Sequence, residues 1–581
     1  MTGNSRAKSA PVYISWILLA QSLAIIGFLS TRNFPHLVQI VGKDLTVPVF
    51  RGSEITAVIA STLIILTARA INLKRRRAWI VATFLQGFLI LNSIFHGLVQ
   101  LALKHKEETF VLKSIGISHL VSEIIIFALL IFFRGEFKTK SDVKTTIKSI
   151  LFTLQISLLS FLVGLAFVGL DQKSFTSKLS FGKILEITSK GIFGVSTSVE
   201  YVSDRAQNRT EYTLAALGLL VVFLAAWQFF KPNTYKILDG SKNFEEVRNL
   251  LSRYLDHDSL SYFALRENKN FIWSKNRKSV IPFYVINGVT LTTGDPIGDR
   301  ESWPAAIESY CKEAEEHGWI PAIYGCSEEA GLIWVRETGF DSLEIGDEAV
   351  VSVASFTLEG PEMKNVRQMV NQIKRKDYVT SIRKISEIGQ DELNELSLLA
   401  DKWRRGGSER GFSMALGRFC DPTDPQLVIA LALKEGKPMG MLQFIPWGSD
   451  GLSLDSMRRS PECDPGINEL LISETVAYAR EHGINKISLN FATFRSIFEK
   501  GERLGAGPLT RLSHRVLVFL SRFFQMESLY RFNSKFRPLW TPRYIIFPSA
   551  GRLMRVALAI LMVESFIPVP RIRRIDRMVT K

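Results

Sequence analysis

Apolar runs long enough to cross a hydrocarbon core, about 20 residues, recur six times in the first 230 positions. They lie near 13–30, 54–71, 78–102, 116–133, 148–170 and 212–230, and predict a six-helix transmembrane domain over 1–230. From about 240 the pattern changes to amphipathic stretches alternating with short β-rich runs. A helix over 243–256 is followed by the strand-like runs SYFAL, NFIWS, SVIPFYVING and VTLTTGDPIGD. Next comes the helix WPAAIESYCKEAEEHG, with Pro304 in its first turn and Gly318 as its stop signal. A second round starts near 377, with a helix over 391–406, a hairpin over 426–447, a strand over 451–457, a helix over 467–483 and a strand over 486–492.

Helix, three strands, helix and strand is the order expected of a GNAT-type acyltransferase. The expected architecture is therefore a polytopic α-helical membrane domain followed by an α/β cytoplasmic region of two tandem GNAT-like domains, 231–360 and 377–550. An apolar then basic tail follows over 551–581. Between the two domains, residues 361–376 place Met363, Val366, Val370 and Ile373 on one helical face. Lys364, Arg367, Asn371 and Lys374 fall one residue later, about 100° around the helix. This basic amphipathic linker helix, with Arg375 at its end, reads either as a solvated connector or as a helix that tracks phosphates of RNA or anionic lipid.

Composition and charge narrow the class. The chain is 46% hydrophobic and 22% charged, with mean hydropathy +0.12 and 39 Phe, which excludes disorder as its main state. Its four cysteines, Cys311, Cys326, Cys420 and Cys463, form no CxxC pair and read as reduced thiols. The net charge of +16 is uneven: +12 over 1–230, −8 over 231–502 and +12 over 503–581. Lys74 to Arg77, and Arg134, Lys138, Lys140 and Lys144, mark two short loops as cytoplasmic. With six spans, the N-terminus and the region after 231 then share the cytoplasmic side of a cell membrane. Glu123 and His96, inside apolar runs, are candidates for function or for burial between helices.

Chemistry-bearing stretches are confined to the second half. HExxH, G-x-S-x-G and G-x-x-x-x-G-K-[ST] are absent, which argues against zinc hydrolase, α/β-hydrolase and P-loop classes. GDPIGD (294–299) reads mainly as a turn. The stretch from Asp401 to Phe419 packs Arg404, Arg405, Arg410 and Arg418 among glycines and Ser413, a loop able to wrap phosphate or a polar chain end. SLDSMRR places Asp455 and Arg458 three apart at the end of a strand. RFNSKFRPLWTPRY interleaves Lys535, Arg537 and Arg543 with Phe536, Trp540 and Tyr544, cations beside aromatics that suit a phosphodiester. Taken singly, each of these stretches also reads as surface ion pairs beside core aromatics.

On GDPIGD, KNVRQMVNQIKRKDY, DKWRRGGSERGFSMALGRF, SLDSMRRSP, NFATFRSIFEKG and KFRPLWTPRY, the region 240–550 resembles the aminoacyl-phosphatidylglycerol synthases, the multiple-peptide-resistance-factor family. It looks closest to the actinobacterial branch, in which such a region can be fused to a lysyl-tRNA synthetase. No synthetase module is visible before Lys581, so a separate enzyme is expected to supply the donor. The resemblance implies lysyl transfer from aminoacyl-tRNA to a hydroxyl of phosphatidylglycerol, with lower negative surface charge and resistance to cationic peptides as its result. It also implies that Asp455 and Arg458 are catalytic, and that Lys535 and Arg537 bind substrate. Arg418 and Ser413 are candidate substrate contacts from their loop, and Lys364, Arg367, Lys374 and Arg375 are tRNA or lipid contacts. No metal or cofactor is expected, since an activated ester is already the donor. Alternatives are alanyl transfer, diacylglycerol or a peptidoglycan precursor as acceptor, a lipid-flipping or transport protein with a regulatory cytoplasmic region, and a thioester-dependent N-acetyltransferase. The oligomeric state is open.

Overall fold

The structure, a computed structural model, describes residues 10–23, 54–72, 76–102, 110–137, 143–193, 195, 199–230, 240–404, 411–493 and 526–565. The chain forms two compact units, one built on residues up to Asn233 and one from Thr234 onward.

The first unit is helical: α1 (Ala10–Leu23), α2 (Glu54–Asn72), α3 (Arg76–Ala102), α4 (Phe110–Phe132), α5 (Val143–Leu170), α6 (Phe181–Ile192) and α7 (Asp204–Phe229). Among the described residues, two segments, Ile147–Leu170 and Asp204–Phe229, are long and apolar enough to cross a membrane. On α5, Leu151, Leu154, Leu158 and Leu162 are exposed, as suits a helix whose solvent is lipid. Glycines let the backbones of α5 to α7 approach. A Cβ on Gly218 would sit 2.0 Å from the Ile192 carbonyl oxygen, and one on Gly191 would sit 2.4 Å from Leu214 Cδ1. Polar side chains bond across helices, with Ser22 donating to the Ser61 carbonyl at 3.0 Å and Trp79 to the Leu130 carbonyl at 2.7 Å. Glu123 is fully buried within α4, while the side chain of His96 lies outside the described residues. Between α5 and α7 lies α6, whose 12 residues are too few to span but bury Ile187, Thr188 and Gly191.

The second unit is one twelve-stranded sheet with helices. Its first part runs α8 (Gly240–Arg253), β1 (Asn270–Trp273), β2 (Ser279–Ile286), β3 (Val289–Thr293), β4 (Ile297–Gly298), α9 (Trp303–His317), β5 (Ile320–Cys326), α10 (Glu328–Thr338) and β6 (Asp341–Ser352). The chain continues through α11 (Lys364–Lys374), β7 (Tyr378–Lys384), α12 (Gln390–Trp403), β8 (Val428–Lys434), β9 (Lys437–Trp447) and β10 (Gly451–Arg459). It ends with α13 (Ile467–Glu481), β11 (Lys486–Thr493), α14 (Met526–Ser534), β12 (Leu539–Phe547) and α15 (Ala550–Val563). The strand order is β1-β2-β3-β5-β12-β6-β11-β10-β9-β8-β7, with β4 on β2.

The two expected rounds are visible as a repeated motif. An antiparallel meander, β1-β2-β3 or β8-β9-β10, is followed by a crossover helix, α9 or α13, and a strand parallel to the last one, β5 or β11. The halves are not separate, however. Strand β6 of the first half pairs with β11 of the second, and β12, near the chain's end, pairs with β5 of the first. Each half therefore lends its last strand to the other, and the sheet is continuous through the β12–β6 pair. Residues 551–565, expected as the start of a tail, belong to this fold: α15 buries Val556, Ala559, Ile560 and Leu561, and Glu564 follows, also buried.

One face of the second-half sheet packs on α11 and α13 through Val366, Val370, Ile373, Leu470, Leu471 and Val476. The other carries α12, the segment 411–420 and the helical turn Ser261–Leu265. Gly448, just after β9, holds φ +64°, and a Cβ there would lie 2.4 Å from the Leu255 carbonyl oxygen. Gly448→Ala combines a left-handed backbone with a backbone clash, so a loss of about 2–4 kcal/mol is expected. Thermal unfolding of the detergent-solubilised full chain checks this, as a lowered midpoint.

Candidate functional site

The glycine- and arginine-rich motif becomes a loop whose backbone is held by buried carboxylates. Gly411 (φ +93°) and Gly417 (φ +79°) take conformations that side chains disfavour. Between and after them, Phe412 N–H and Ser413 N–H donate to the two oxygens of Glu564 at 2.8 and 3.0 Å, and Leu416 N–H donates to Asp455 Oδ1 at 2.8 Å. Arg418 clamps buried Asp424 through Nε at 2.7 Å and donates through Nη1 to the Leu265 carbonyl at 2.8 Å. Arg248 and the Tyr262 hydroxyl reach the other oxygen of Asp424 at 2.8 and 2.9 Å. Arg418 and Ser413, expected as substrate contacts, are thus parts of the frame. The Arg418 guanidinium is committed to Asp424, and Ser413 is fully buried. Arg405 and Arg410 lie outside the described residues.

Asp455 sits where the sheet opens. Strands β10 and β11 pair in parallel only from Gly451↔Lys486 to Ser453↔Ser488. Asp455 is the extra residue of a bulge against β9, between the pairs Leu454↔Phe444 and Ser456↔Gln443. β11 breaks register with β6 over the same level, where Asn490 at φ +67° donates from Nδ2 to the Leu454 carbonyl at 2.5 Å. The bulge turns the Asp455 carboxylate toward the 411–420 loop, where Gln443 Nε2 donates to Oδ2 at 2.5 Å. Gln443 is itself fixed by Cys420 N–H at 2.8 Å and the Arg418 carbonyl at 3.0 Å. The carboxylate is 8% exposed and accepts from Leu416 N–H on one oxygen and from Gln443 on the other.

Arg458 lies past the bulge, opposite Met441 of β9. It lines a cleft of about 460 Å³ with Met369, Met457, Arg459, Pro465, Gly466, Asn468, Glu469 and Phe532. Lys535 reaches this level through a 2.8 Å ion pair with buried Glu469. Arg537, at φ +52°, instead pairs with Glu362 ahead of the basic helix. Lys535 and Arg537 thus have different acidic partners, Glu469 and Glu362.

The basic helix α11 forms as the spacing predicts, burying Val366, Val370 and Ile373. Its cations divide. Arg367 donates to the Gly360 carbonyl at 3.0 Å and to the Leu358 carbonyl at 2.5 Å, and Lys374 pairs with Glu474 at 2.7 Å. Lys364 and Arg375 are exposed.

Two buried polar groups carried no local signal in the sequence, because their partners come from distant segments. Arg543 joins Asp258 at 2.6 Å, Ser259 at 2.7 Å, the Gly325 carbonyl at 3.2 Å and Glu348, which also accepts from Ser488 at 2.5 Å. Asp295 of the GDPIGD turn accepts from Ser327 N–H and Oγ at 2.8 and 2.6 Å, at the start of α10. Burial, with the Asp258 charge second, pushes the Asp295 carboxyl up to about 7. Lys269 is 2% exposed, donates to Thr293 Oγ1 at 2.8 Å and lies 4.8 Å from the Phe412 ring centroid. Burial, with the Arg266 charge second, brings its amine down to about 7.

The family described as "Phosphatidylglycerol lysyltransferase, C-terminal" matches residues 248–547. Among relatives, the "Lysylphosphatidylglycerol biosynthesis bifunctional protein LysX" of Mycolicibacterium gilvum is 41% identical over 365 residues, 63% of this chain and 33% of that protein. The protein of the same name from Rhodococcus jostii is 32% identical over 575 residues, 99% of this chain and 50% of that protein. The chain thus spans between a third and a half of the length of these relatives. Among solved structures, L-PGS from Bacillus licheniformis aligns with TM-score 0.48 and 22% identity, covering 55% of this chain and 96% of that one.

Breaking the clamp should cost stability: Arg418→Met leaves Asp424 buried with one cation fewer, and a loss of about 3–5 kcal/mol is expected, read as a lowered unfolding midpoint of the full chain. Lys269 gives a pH signature. Its folded pKa lies below the ordinary 10.5, so the unfolded chain binds more protons between about 7 and that value and the stability of the wild type rises with pH across that window. Lys269→Met removes this dependence. Its gain in unfolding midpoint should be largest at pH 6 and smaller at pH 9, and a gain that does not change with pH would count against a neutral buried amine.

Proposed function

Since the chain belongs to the phosphatidylglycerol lysyltransferase family through residues 248–547, we propose that it transfers a lysyl group from aminoacyl-tRNA to a hydroxyl of membrane phosphatidylglycerol. The observation that carries this reading is the opening between β10 and β11 beside Asp455. Where parallel pairing stops after Ser453, an extended aminoacyl ester could take the place of the missing strand pairing. The repeated meander, crossover helix and parallel strand fit two tandem GNAT-like units, and the long apolar helices of the first unit fit an acceptor that resides in a membrane.

In the proposed reaction a glycerol hydroxyl of the lipid attacks the ester carbonyl of the aminoacyl-tRNA. Asp455, held in one orientation by Leu416 N–H and Gln443, accepts the hydroxyl proton and returns it to the departing ribose oxygen. One ester bond forms as another breaks, so the exchange needs no added energy source. Arg458 and Lys535, at the neighbouring cleft, supply positive charge for a phosphate of either substrate, and the exposed cations Lys364 and Arg375 supply it on α11. A separate aminoacyl-tRNA synthetase charges the donor. Six membrane spans, with both the N-terminus and the catalytic unit in the cytoplasm, complete the reading, and added lysine on the lipid would lower the negative surface charge that attracts cationic peptides.

Asp455→Asn removes the proton acceptor and sets an amide NH2 against one of its two donors, so at least a hundredfold loss of lysyl transfer is expected, with a lowered unfolding midpoint of a chain that still folds. Mass spectrometry of lipids from cells expressing wild type or variant measures it. Unchanged lysyl-phosphatidylglycerol with Asp455→Asn would remove Asp455 from the chemistry, and alanyl-phosphatidylglycerol as the wild-type product would replace the amino acid.

A further inference from the structure

The cleft at the start of α13 has features that the transfer reading leaves unused. Its rim is cationic, with Arg458 and Arg459 from the end of β10, and Met369, Met457, Pro465 and Phe532 form apolar walls beside Asn468 and Glu469. Arg459 is exposed and its guanidinium has no partner among the described residues, unlike Arg418, Lys374, Lys376 or Arg543, which are all tied to carboxylates. The acid in the cleft, Glu469, is already matched by Lys535 at 2.8 Å, so Arg459 faces the cleft with no carboxylate set against it among the described residues.

The backbone adds donors. Gly466 begins α13 at φ +103° and gives no side-chain cap, so the first N–H groups of this 15-residue helix are left for another acceptor. A Cβ at Gly466 would lie 3.3 Å from Met369 Cβ and from Ile373 Cγ1, so glycine also keeps this approach clear. The Oδ1 atom of Asn468, in the first turn and on the cleft wall, is buried with no hydrogen-bond partner.

We infer that this cleft binds the phosphodiester of an anionic glycerophospholipid, with Arg459 as the phosphate ligand, the α13 amides behind it, and the methionines and Phe532 against the glycerol and first acyl carbons. The inference rests on the proposed transfer for the identity of the acceptor. A nucleic-acid phosphodiester fits less well. The Phe532 ring that would have to stack a base already has the Lys535 ammonium 5.3 Å from its centroid and Phe536 edge-on at 5.4 Å. A cleft of about 460 Å³ suits one headgroup, within the roughly 300–1,000 Å³ common for small-ligand sites. Methionine walls suit acyl chains of varied shape.

The test uses the full chain in detergent micelles and measures binding of dihexanoyl-phosphatidylglycerol, dihexanoyl-phosphatidylcholine, inorganic phosphate and uncharged tRNA to wild type, Arg459→Gln and Arg459→Lys. Expected is an at least tenfold weaker affinity of Arg459→Gln for the phosphatidylglycerol, partial recovery in Arg459→Lys, and tRNA affinity within twofold of wild type. Phosphatidylcholine and inorganic phosphate should bind at least tenfold more weakly than phosphatidylglycerol to the wild type. Unchanged phosphatidylglycerol affinity in Arg459→Gln overturns the inference. So does inorganic phosphate binding as tightly as the lipid, or a loss confined to tRNA, which would make the cleft an RNA contact. Because binding is read without turnover, a wild type that binds phosphatidylglycerol through Arg459 but forms no lysyl-lipid sinks the proposed reaction alone. One that transfers lysine with Arg459-independent lipid binding sinks this inference alone.

Discussion

The burial of three carboxylates against one loop organises the α/β unit. Asp424, Asp455 and Glu564 come from the end of the loop itself, from strand β10 and from the end of α15, and all three are nearly inaccessible. A buried carboxylate is tolerated when it is paired or accepts hydrogen bonds. Here the donors are the amides of Phe412, Ser413 and Leu416 together with Arg418, Arg248, Tyr262 and Gln443. The loop cannot move without stranding charge, and so it fixes the catalytic candidate Asp455, the C-terminal helix and the turn at Leu265 in one arrangement. The two positive-φ glycines, Gly411 and Gly417, let successive amides point at different acceptors.

Strand exchange between the halves places this loop. Because β6 lies beside β11 and β12 beside β5, the residues that line the middle of the sheet come from both halves. The Arg543–Glu348–Asp258 group joins β12, β6 and the segment after α8. Buried ion groups of this kind contribute little net stability but penalise any register that separates the partners. The exchanged strands therefore have a specific reason to pair where they do, one level above the point at which β10 and β11 part.

Much of the element pattern was legible in the sequence. The basic helix, the hairpin at Glu435 and Gly436 and the helices of the second half follow from periodicity and turn residues, which are local. The exchange of β6 and β12 was not legible, since a strand's hydrophobic alternation fixes its faces and not its neighbours. The same limit applies to the site. Asp455 stood out by its motif, but the one-residue bulge that turns it toward the 411–420 loop is something periodicity cannot register. Arg418 and Arg367 read as phosphate ligands because a free and a clamped arginine have the same sequence signature. The partners that clamp them, Asp424 and the carbonyls of Leu358 and Gly360, are close in the chain, but their role depends on loop geometry. Glu564 was the nearest to a missed clue, a single acid after the apolar run 556–563.

Sorting cations by what they touch changes the meaning of the net charge of +16. In the α/β unit the arginines of the densest motifs are largely neutralised from within: Arg418 by Asp424, Arg543 by Glu348 and Asp258, and Arg537 by Glu362. Coulomb attraction over 3 to 4 Å in a poorly hydrated site exceeds that of an exposed pair severalfold, so these charges lend little field to an approaching anion. Among the described residues, Lys364 and Arg375 on α11 and Arg459 at the cleft are exposed cations. Both groups border the α11–α13 face of the sheet, whereas the Asp455 carboxylate faces the opposite side. On the proposed reading, an anionic substrate drawn to the first face would meet the carboxylate at the gap where β10 and β11 separate, so the break in the parallel ladder would matter as much as any single basic residue.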